Sequence, residues 1–321
     1  MGRLLAVDFK FEGKDHNVPA FNSMFAAYLL CAVLLLAVAC SIALYIFQCN
    51  LIYPANFPTG SRSVPSQYGL PYREVTLTTK DNVSLQCYLL QQKDTETAKN
   101  SPTVIYFHAN AGNMGHRLPI AKIFFENFGC NVFMLSYRGY GLSGGSPNEV
   151  GLKRDAEAAM EYIIQHPVLG KTPLVAYGQS IGGAVAINLV SRNEDKFTGL
   201  ILENTFLSLV LIVPQPQLIP HVVPALKHFI FLCHQIWPSY LEIKAIRRVP
   251  TLFLSGMKDE LVPPSHMKKL HELCETGGPK YWKEFEEGTH NDTCIKRGYF
   301  ESIGEFIRDE IWKHASLTEK S

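Results

Sequence analysis

The sequence predicts an α/β fold in which a mostly parallel sheet is covered by helices on both faces. Two strand-like runs, 74–79 and 83–91, come first, and from residue 102 onward apolar strand-like runs alternate with helical runs. One strand–helix junction carries the motif Gly-x-Ser-x-Gly at residues 178–182. Such alternation is typical of parallel sheets, because parallel strands are joined by crossovers that are usually helical. The 321 residues suffice for one such domain and a short N-terminal addition.

We interpret the N-terminal addition as a membrane anchor. Residues 24–47 are uncharged and mostly apolar, and a helix of that length spans the roughly 30 Å hydrocarbon core of a bilayer. The apolar core of a cleavable signal peptide is shorter, about 7–15 residues, and no convincing cleavage site follows here. We therefore expect a tail over 1–23 and an uncleaved transmembrane signal anchor over 24–47, with the lipid bilayer as its partner.

The charged residues on the two sides of the anchor predict its orientation. Arg3, Lys10 and Lys14 precede the anchor, whereas the first basic residue after it is Arg62. Lys and Arg are enriched on the cytoplasmic side of membrane helices, and acidic residues contribute little. The sequence thus predicts a single-pass type II membrane protein whose C-terminal domain lies in a lumen or outside the cell.

The rest of the chain divides into a linker, one domain and a tail. Residues 48–73 are rich in Pro, Gly and Ser and predict an extended linker, the domain covers 74–314, and a tail covers 315–321. The predicted strands cover 74–79, 83–91, 102–109, 131–138, 173–178, 199–206, 251–256 and 280–287. The predicted helices cover 113–127, 149–165, 180–192, 265–274 and 298–313.

An insertion over 207–244 separates the sixth predicted strand from the seventh, where a short cap would lie over a site at the sheet edge. The insertion is strongly apolar, and five prolines break it into short pieces. Two interpretations stay open. The apolar side chains either pack on the sheet or form an apolar entrance, facing the bilayer, that suits an acyl chain.

The motif at 178–182 predicts a nucleophilic serine. It follows an apolar strand and opens a helix of small residues, which is the strand–turn–helix context of a nucleophile elbow. The turn strains the backbone of Ser180 and raises its hydroxyl above the sheet edge. Side chains at Gly178 and Gly182 would collide with the neighbouring strand and helix.

An acid and a base follow in a matching order. Asp259 comes directly after the strand 251–256, and His290 comes after the strand 280–287. The order Ser180, Asp259, His290 is that of the α/β-hydrolase fold, with the histidine as general base and the aspartate as its orienting acid. Glu203, at the end of the strand before the insertion, is the alternative acid, although the loop after the later strand is the commoner source.

Two backbone N–H groups are expected to bind a developing oxyanion. In this fold one comes from the residue after the nucleophile, here Ile181, and the other from the loop after the strand 102–109. Near this loop, the run Arg138-Gly-Tyr-Gly follows another apolar strand. We expect Arg138 to pair with a carboxylate such as Asp155 and to brace the loops.

Five strings together resemble the α/β-hydrolase-domain-containing proteins of the bud-emergence-related branch. They are HANAGNMGHRLP, YRGYGLSGG, GQSIGGAVAI, ENTFLS and GTHNDT, and the resemblance covers nearly all of residues 50–310. It implies that the N–H of Asn110 is the loop donor of the oxyanion hole. The family usually has His-Gly-Asn where this chain has His108-Ala109-Asn110, so a backbone angle awkward for alanine would lower activity.

Composition excludes several partners and cofactors. The net charge is +1 without a basic block, which gives no support to nucleic-acid binding. The eight cysteines lack the spacing of a metal site, so we expect unpaired thiols, no metal and no cofactor. If the domain is lumenal, the sequons at Asn82 and Asn291 are possible glycosylation sites.

These features predict a membrane-anchored serine hydrolase. Its substrate would be a small molecule or an acylated molecule, a lipid among them, that carries an ester or a thioester. The alternative is a catalytically weak scaffold that uses the hydrolase surface as a membrane-anchored interaction protein. The residues of the triad argue against the scaffold, whereas Ala109 and the lack of substrate-specific motifs argue for it.

Overall fold

A computed structural model describes residues 20–55, 57–58, 63–212 and 227–312, which fall into two compact units divided between Ile46 and Phe47. The first unit consists, in its described part, of helix α1 (Ala20–Ile52), whose last residues belong to the second unit. Among the described residues, one helical segment, Met24–Ile52, is long and apolar enough to cross a membrane. It ends five residues beyond the predicted anchor.

The second unit is built on an eight-stranded sheet in the order β1-β2-β4-β3-β5-β6-β7-β8. Strands β1 and β2 pair antiparallel to each other, β2 pairs antiparallel to β4, and all later neighbours are parallel. The predicted α/β-hydrolase fold with its mostly parallel sheet is therefore confirmed. The strands are β1 Arg73–Thr78, β2 Ser84–Leu90, β3 Thr103–Phe107, β4 Asn131–Leu135, β5 Leu174–Gln179, β6 Gly199–Glu203, β7 Thr251–Gly256 and β8 Lys280–Phe285.

The described helices follow the predicted alternation and differ from it in details. They are α2 Thr95–Asn100, α3 Leu118–Glu126, α4 Glu149–Gln165, α5 Ile181–Arg192, α6 Leu209–Ile212, α7 Ser239–Glu242, α8 Pro264–Leu273 and α9 Tyr299–Phe306. Helix α2 was not predicted; Asp94 caps it by accepting the N–H of Thr97 at 2.8 Å. The predicted helix 113–127 begins instead with a 3₁₀ turn over Met114–Arg117.

Two hydrophobic cores cover the two faces of the sheet. In β3, Ile105 and Phe107 lie in one core, whereas Val104 and Tyr106 lie in the other. Because successive side chains of a strand point to opposite faces, a strand that is apolar throughout must be covered on both sides. Because both faces are covered, polar residues of a site can lie at the sheet edge where the parallel strands have their C-terminal ends.

Residues 48–73, which we expected as an extended linker, contribute packed side chains. Tyr53 and Leu70 are each 3% exposed, and Gln48 is 5% exposed. The Tyr53 hydroxyl donates to Oε1 of Gln235 at 2.9 Å. The composition of the segment indicated a linker, but its aromatic and amide groups find partners that are distant in the sequence.

The predicted cap, 207–244, is described only at its two flanks, since 213–226 lie outside the described residues. The flanks contain α6, a 3₁₀ segment over Lys227–Leu232, and α7. Trp237 is fully buried, whereas Leu211 is 47%, Phe231 76% and Leu241 54% exposed. Some apolar side chains of the flanks thus pack in the core and others are exposed, and the apolar entrance stays a prediction.

Candidate active site

Ser180 lies in a sharp turn between β5 and α5. Its φ of 55° and ψ of −119° belong to a region that L-residues rarely adopt. The turn is possible because glycines flank it: a Cβ on Gly178 would collide with the carbonyl of Gly182, and a Cβ on Gly182 with the carbonyl of Phe107. The structure therefore shows the strained serine backbone that the sequence predicts, and it leaves no space for a side chain at either glycine.

Ser180, His290 and Asp259 form a chain of hydrogen bonds. Ser180 Oγ lies 3.0 Å from Nε2 of His290, and Nδ1 of the same ring lies 2.8 Å from Oδ2 of Asp259. The three residues are 8%, 7% and 7% exposed, respectively. The other oxygen of Asp259 accepts the N–H groups of Leu261 at 2.9 Å and Val262 at 2.7 Å, so the carboxylate is fixed in place.

This arrangement determines what the imidazole can do. With a carboxylate beside Nδ1, the favoured neutral tautomer carries its proton there, which leaves Nε2 as an acceptor for the hydroxyl of Ser180. Nε2 of His290 can thus take the proton of Ser180 as Oγ of Ser180 attacks an electrophile. The ion pair with Asp259 then stabilises the imidazolium that forms.

Glu203, the alternative acid, has other partners. Its carboxylate accepts the hydroxyls of Tyr177 and Tyr299, each at 2.6 Å, and the amide of Gln179 at 3.2 Å. Burial raises the pKa of Glu203 above its usual value, and the two tyrosine hydrogen bonds act against this. The described contacts of His290 therefore favour Asp259 over Glu203 as the orienting acid.

Two positioning residues were missed by the sequence analysis, although both lie in the string ENTFLS. Asn204, with φ of 44°, donates to Oγ1 of Thr293 at 3.0 Å and accepts the N–H of Gly256 at 2.8 Å. It also donates to the carbonyl of His290 at 3.4 Å. Thr205 Oγ1 donates to the carbonyl of Ser180 at 2.7 Å. The two residues connect the turns that carry the serine, the acid and the histidine.

Replacing Asn204 by alanine should lower kcat by about 100-fold, because a misplacement of about 1 Å in a catalytic group costs roughly that factor. The variant also leaves the buried N–H of Gly256 without its acceptor, which costs about 1–3 kcal/mol of stability. Ester hydrolysis and thermal unfolding measure the two effects. Asn193→Ala is the control, because it also removes one side-chain amide, which donates to the carbonyl of Leu189 away from these turns. Equal kcat values for the two variants would contradict the positioning role of Asn204.

The loop after β3 lies against the start of α5. A Cβ on Gly182 would come within 2.8 Å of the carbonyl oxygen of His108, so the loop and the first turn of α5 are in close contact. His108 is fully buried, its Nδ1 is 2.7 Å from the carbonyl of Ala109, and burial lowers its pKa to about 3. A neutral imidazole therefore supports this loop.

The side chain of Asn110, in the same loop, is held at both ends of its amide. Its Nδ2 donates to the carbonyl of Ile52 at 2.6 Å, and its Oδ1 accepts the hydroxyl of Tyr140 at 2.8 Å.

The backbone at Ala109 corrects one expectation. Among the described non-glycine residues, positive φ angles occur only at Asn82, Ser180, Asn204 and Trp237. Ala109 thus has an ordinary backbone angle that needs no glycine. The awkward backbone angle that the family pattern suggested is therefore not seen at Ala109, and the effect of this alanine on activity stays a prediction.

We expect Ala109→Gly to leave kcat within about twofold of the parent and to lower stability by about 0.4–1 kcal/mol, since glycine gains more conformational freedom in the unfolded chain. Ester hydrolysis and denaturant unfolding measure both quantities. An increase of tenfold or more in kcat would show that alanine does constrain the loop.

The expected bracing pair is confirmed and is larger than predicted. Arg138 Nε donates to Asp155 at 2.9 Å, and its backbone N–H donates to the same carboxylate at 2.8 Å. Arg138 Nη1 also pairs with Asp81 at 2.8 Å. The guanidinium therefore ties the turn between β1 and β2 to α4 and to the turn after β4.

Proteins of known sequence resemble this chain over most of its length. Residues 98–241 match a family model described as serine aminopeptidase, S33. Protein bem46 of Schizosaccharomyces pombe is 48% identical over 269 residues, covering 83% of this chain and 87% of bem46. The membrane protein YNL320W of Saccharomyces cerevisiae is 42% identical, covering 82% of this chain and 90% of its own length. The α/β-hydrolase-domain-containing protein WAV2 of Arabidopsis thaliana is 36% identical, with coverage of 78% and 84%.

Solved structures resemble the second unit in its fold. An esterase of Pyrococcus furiosus, PF2001, superposes with a TM-score of 0.66 at 19% identity, covering 79% of this chain and 96% of the esterase. An α/β-hydrolase of Vibrio vulnificus superposes with a TM-score of 0.63 at 19% identity, covering 80% and 91%. At such identities the likeness concerns the fold alone.

Proposed function

This chain belongs to the bem46 branch of the α/β-hydrolase-domain-containing proteins, and from that premise we propose that it is a membrane-anchored serine hydrolase that cleaves an ester or a thioester. The observation that carries the proposal is the hydrogen-bonded series from Ser180 through His290 to Asp259, on a strained strand–helix turn. Strained backbone persists where the surrounding structure enforces it, and it concentrates at active sites.

The proposed reaction has two halves. Ser180 Oγ attacks the carbonyl carbon of the substrate while Nε2 of His290 takes its proton, and the N–H groups of Ile181 and Asn110 bind the oxyanion that forms. The imidazolium then protonates the departing alcohol or thiol, which leaves an acyl group on Ser180. A water molecule then attacks this acyl group while His290 takes its proton, and the imidazolium returns that proton to Ser180 Oγ as the bond to the acyl group breaks and the acid leaves. Asp259 holds the imidazole throughout.

The exposed apolar side chains on the flanks of the cap support a substrate with an acyl chain. Leu211, Phe231 and Leu241 are exposed, and large apolar side chains that lie together on a surface mark a site for a lipid or another apolar partner. If the domain is lumenal, acylated proteins of the cytosol are not its substrates. Lipid profiles of cells without the protein, compared with cells that carry wild type or Ser180→Ala, would identify the class.

The scaffold remains the second candidate, and the absence of a positive φ at Ala109 weakens one of its two supports. Purified full-length protein in detergent separates the two candidates. A serine hydrolase should turn over p-nitrophenyl butyrate or the matching thioester and lose that activity on His290→Ala. A scaffold should give the same background rate for wild type and variant.

We also propose that the second unit is lumenal or extracellular, from the basic residues that precede the anchor. Asn82 and Asn291 are both exposed, as a glycan requires. Endoglycosidase should then increase the gel mobility of the protein. Either Asn82→Gln or Ser84→Ala, which destroys the same sequon, should remove most of that shift, because a glycan on Asn291 would crowd the adjacent His290. Digestion of the domain by protease added to intact microsomes would place it in the cytosol instead.

A further inference from the structure

We propose that the C-terminal end of α1 together with Tyr53, residues 48–53, positions the oxyanion loop and thereby sets the catalytic rate. The inference rests on the proposed function, since it concerns the donor at Asn110. Under this proposal, residues at the end of the predicted membrane helix help to position a group of the active site. Residues 48–53 belong to the same compact unit as the sheet.

The direct link is the amide of Asn110. Its Nδ2 donates to the carbonyl of Ile52 at 2.6 Å, a carbonyl in the last turn of α1, where carbonyls lack an intrahelical donor. From the other side, the Tyr140 hydroxyl donates to Oδ1 at 2.8 Å. Close by, the N–H of Gly112 donates to the carbonyl of Phe57 at 2.8 Å. An amide held at both ends fixes the peptide that carries the proposed oxyanion donor.

The end of α1 is itself held by the flank of the cap. The Gln48 amide donates to the carbonyl of Leu232 at 3.1 Å and accepts the N–H of His234 at 2.9 Å. Directly after the helix, the Tyr53 hydroxyl donates to Gln235 at 2.9 Å and accepts the indole N–H of Trp237 at 3.0 Å. The side chains of Gln48, Tyr53 and Trp237 are all buried.

The same network continues to the first turn of α4. Oε1 of Gln235 also accepts the N–H of Glu149 at 2.6 Å, and the Glu149 carboxylate accepts the N–H of Trp237 at 3.0 Å. Burial raises the pKa of the Tyr53 hydroxyl far above its usual value, so it stays protonated and keeps its donor role. A buried network with every member paired is rigid, and the loss of one member leaves its partners unsatisfied.

A displaced oxyanion donor has a characteristic kinetic signature. The donor acts on charge that exists only in the transition state, so its displacement lowers kcat and leaves KM nearly unchanged. Removal of a whole donor costs about 10²–10³ in kcat. We expect loosening at residues 48–53 to cost part of that, about tenfold.

Gln48→Ala in the full-length protein tests the proposal on p-nitrophenyl acetate, whose small acyl group makes few binding contacts. We expect kcat to fall about tenfold at unchanged KM. Gln92→Ala is the matched control: its amide also makes two backbone hydrogen bonds, to Phe125 at 3.0 Å and Cys130 at 2.9 Å, but at the other edge of the unit. Should Gln48→Ala fail to fold, Tyr53→Phe removes the hydroxyl alone, and the same fall in kcat is expected.

A double-mutant cycle with Asn110→Ala completes the test. If residues 48–53 act through the Asn110 amide, Gln48→Ala should have little further effect in the Asn110→Ala background, because coupled residues are non-additive. Additive losses, or a kcat for both Gln48→Ala and Tyr53→Phe equal to that of Gln92→Ala, would overturn the inference. Failure of wild type to hydrolyse the ester or to react with a fluorophosphonate would overturn the proposed function instead.

Discussion

Asp259→Asn should lower kcat by about four orders of magnitude while the protein stays folded, because loss of the orienting acid of a Ser-His-Asp triad typically costs about 10⁴. Oδ2 of Asp259 lies 2.8 Å from Nδ1 of His290. An asparagine amide in its place favours the tautomer with the proton on Nε2, which cannot accept the proton of Ser180. Hydrolysis of p-nitrophenyl butyrate measures the loss.

Glu203→Gln is the control, since Glu203 is a buried carboxylate that contacts Tyr177 and Tyr299 rather than the imidazole. We expect this variant to change thermal stability and to keep kcat within about tenfold of wild type, because glutamine has nearly the same volume and displaces the catalytic groups by less than the roughly 1 Å that costs about 100-fold. If Glu203→Gln were the silent enzyme and Asp259→Asn the active one, the assignment of the acid would be reversed.

Gly182→Ala should abolish activity, and much of the protein should fail to fold. A Cβ at this position would overlap the carbonyl of Phe107 and come within 2.8 Å of the carbonyl of His108. Both contacts are backbone, so neither can rotate away, and the loop after β3 must separate from the first turn of α5. Overpacking a core costs typically about 1–3 kcal/mol, and here it also displaces the proposed oxyanion donors.

Gly144→Ala is the matched substitution, since its Cβ would meet its nearest atom, the carbonyl oxygen of Ser84, at 3.6 Å, an ordinary contact. Its φ is not positive, so alanine fits. We expect wild-type yield, unfolding temperature and kcat for Gly144→Ala. A Gly182→Ala variant with the same properties would show that the close approach at the elbow is not required.

Much of the fold and the location of the site could be predicted because their signals are local. Strand-like runs alternate with helical runs, and the strand, the two glycines and Ser180 of the elbow follow one another within a few residues. Asp259 and His290 each follow a strand closely. Because parallel strands end at one edge of the sheet, their positions predicted that both would lie near Ser180. Their catalytic roles are still a proposal.

The remainder depends on contacts between residues that are distant in the sequence. Asn204 meets Thr293, 89 positions later, and Tyr53 meets Gln235, 182 positions later. Neither periodicity nor composition reveals such a pair. The contact of Asn204 was therefore missed, and Tyr53 lay in a segment that we expected to be a linker. Ala109 shows the opposite limit: a departure from the family pattern indicated strain, but the backbone angle there is ordinary.

Covalent labelling by a fluorophosphonate tests the central claim most directly, because the reagent phosphonylates a serine only when a neighbouring base activates its hydroxyl. The full-length protein should be labelled, and mass spectrometry of its peptides should place the label on Ser180. Ser180→Ala and His290→Ala should both fail to react, with expression and membrane insertion unchanged. Labelling that persists in Ser180→Ala, or a wild-type protein that never reacts, would contradict the account.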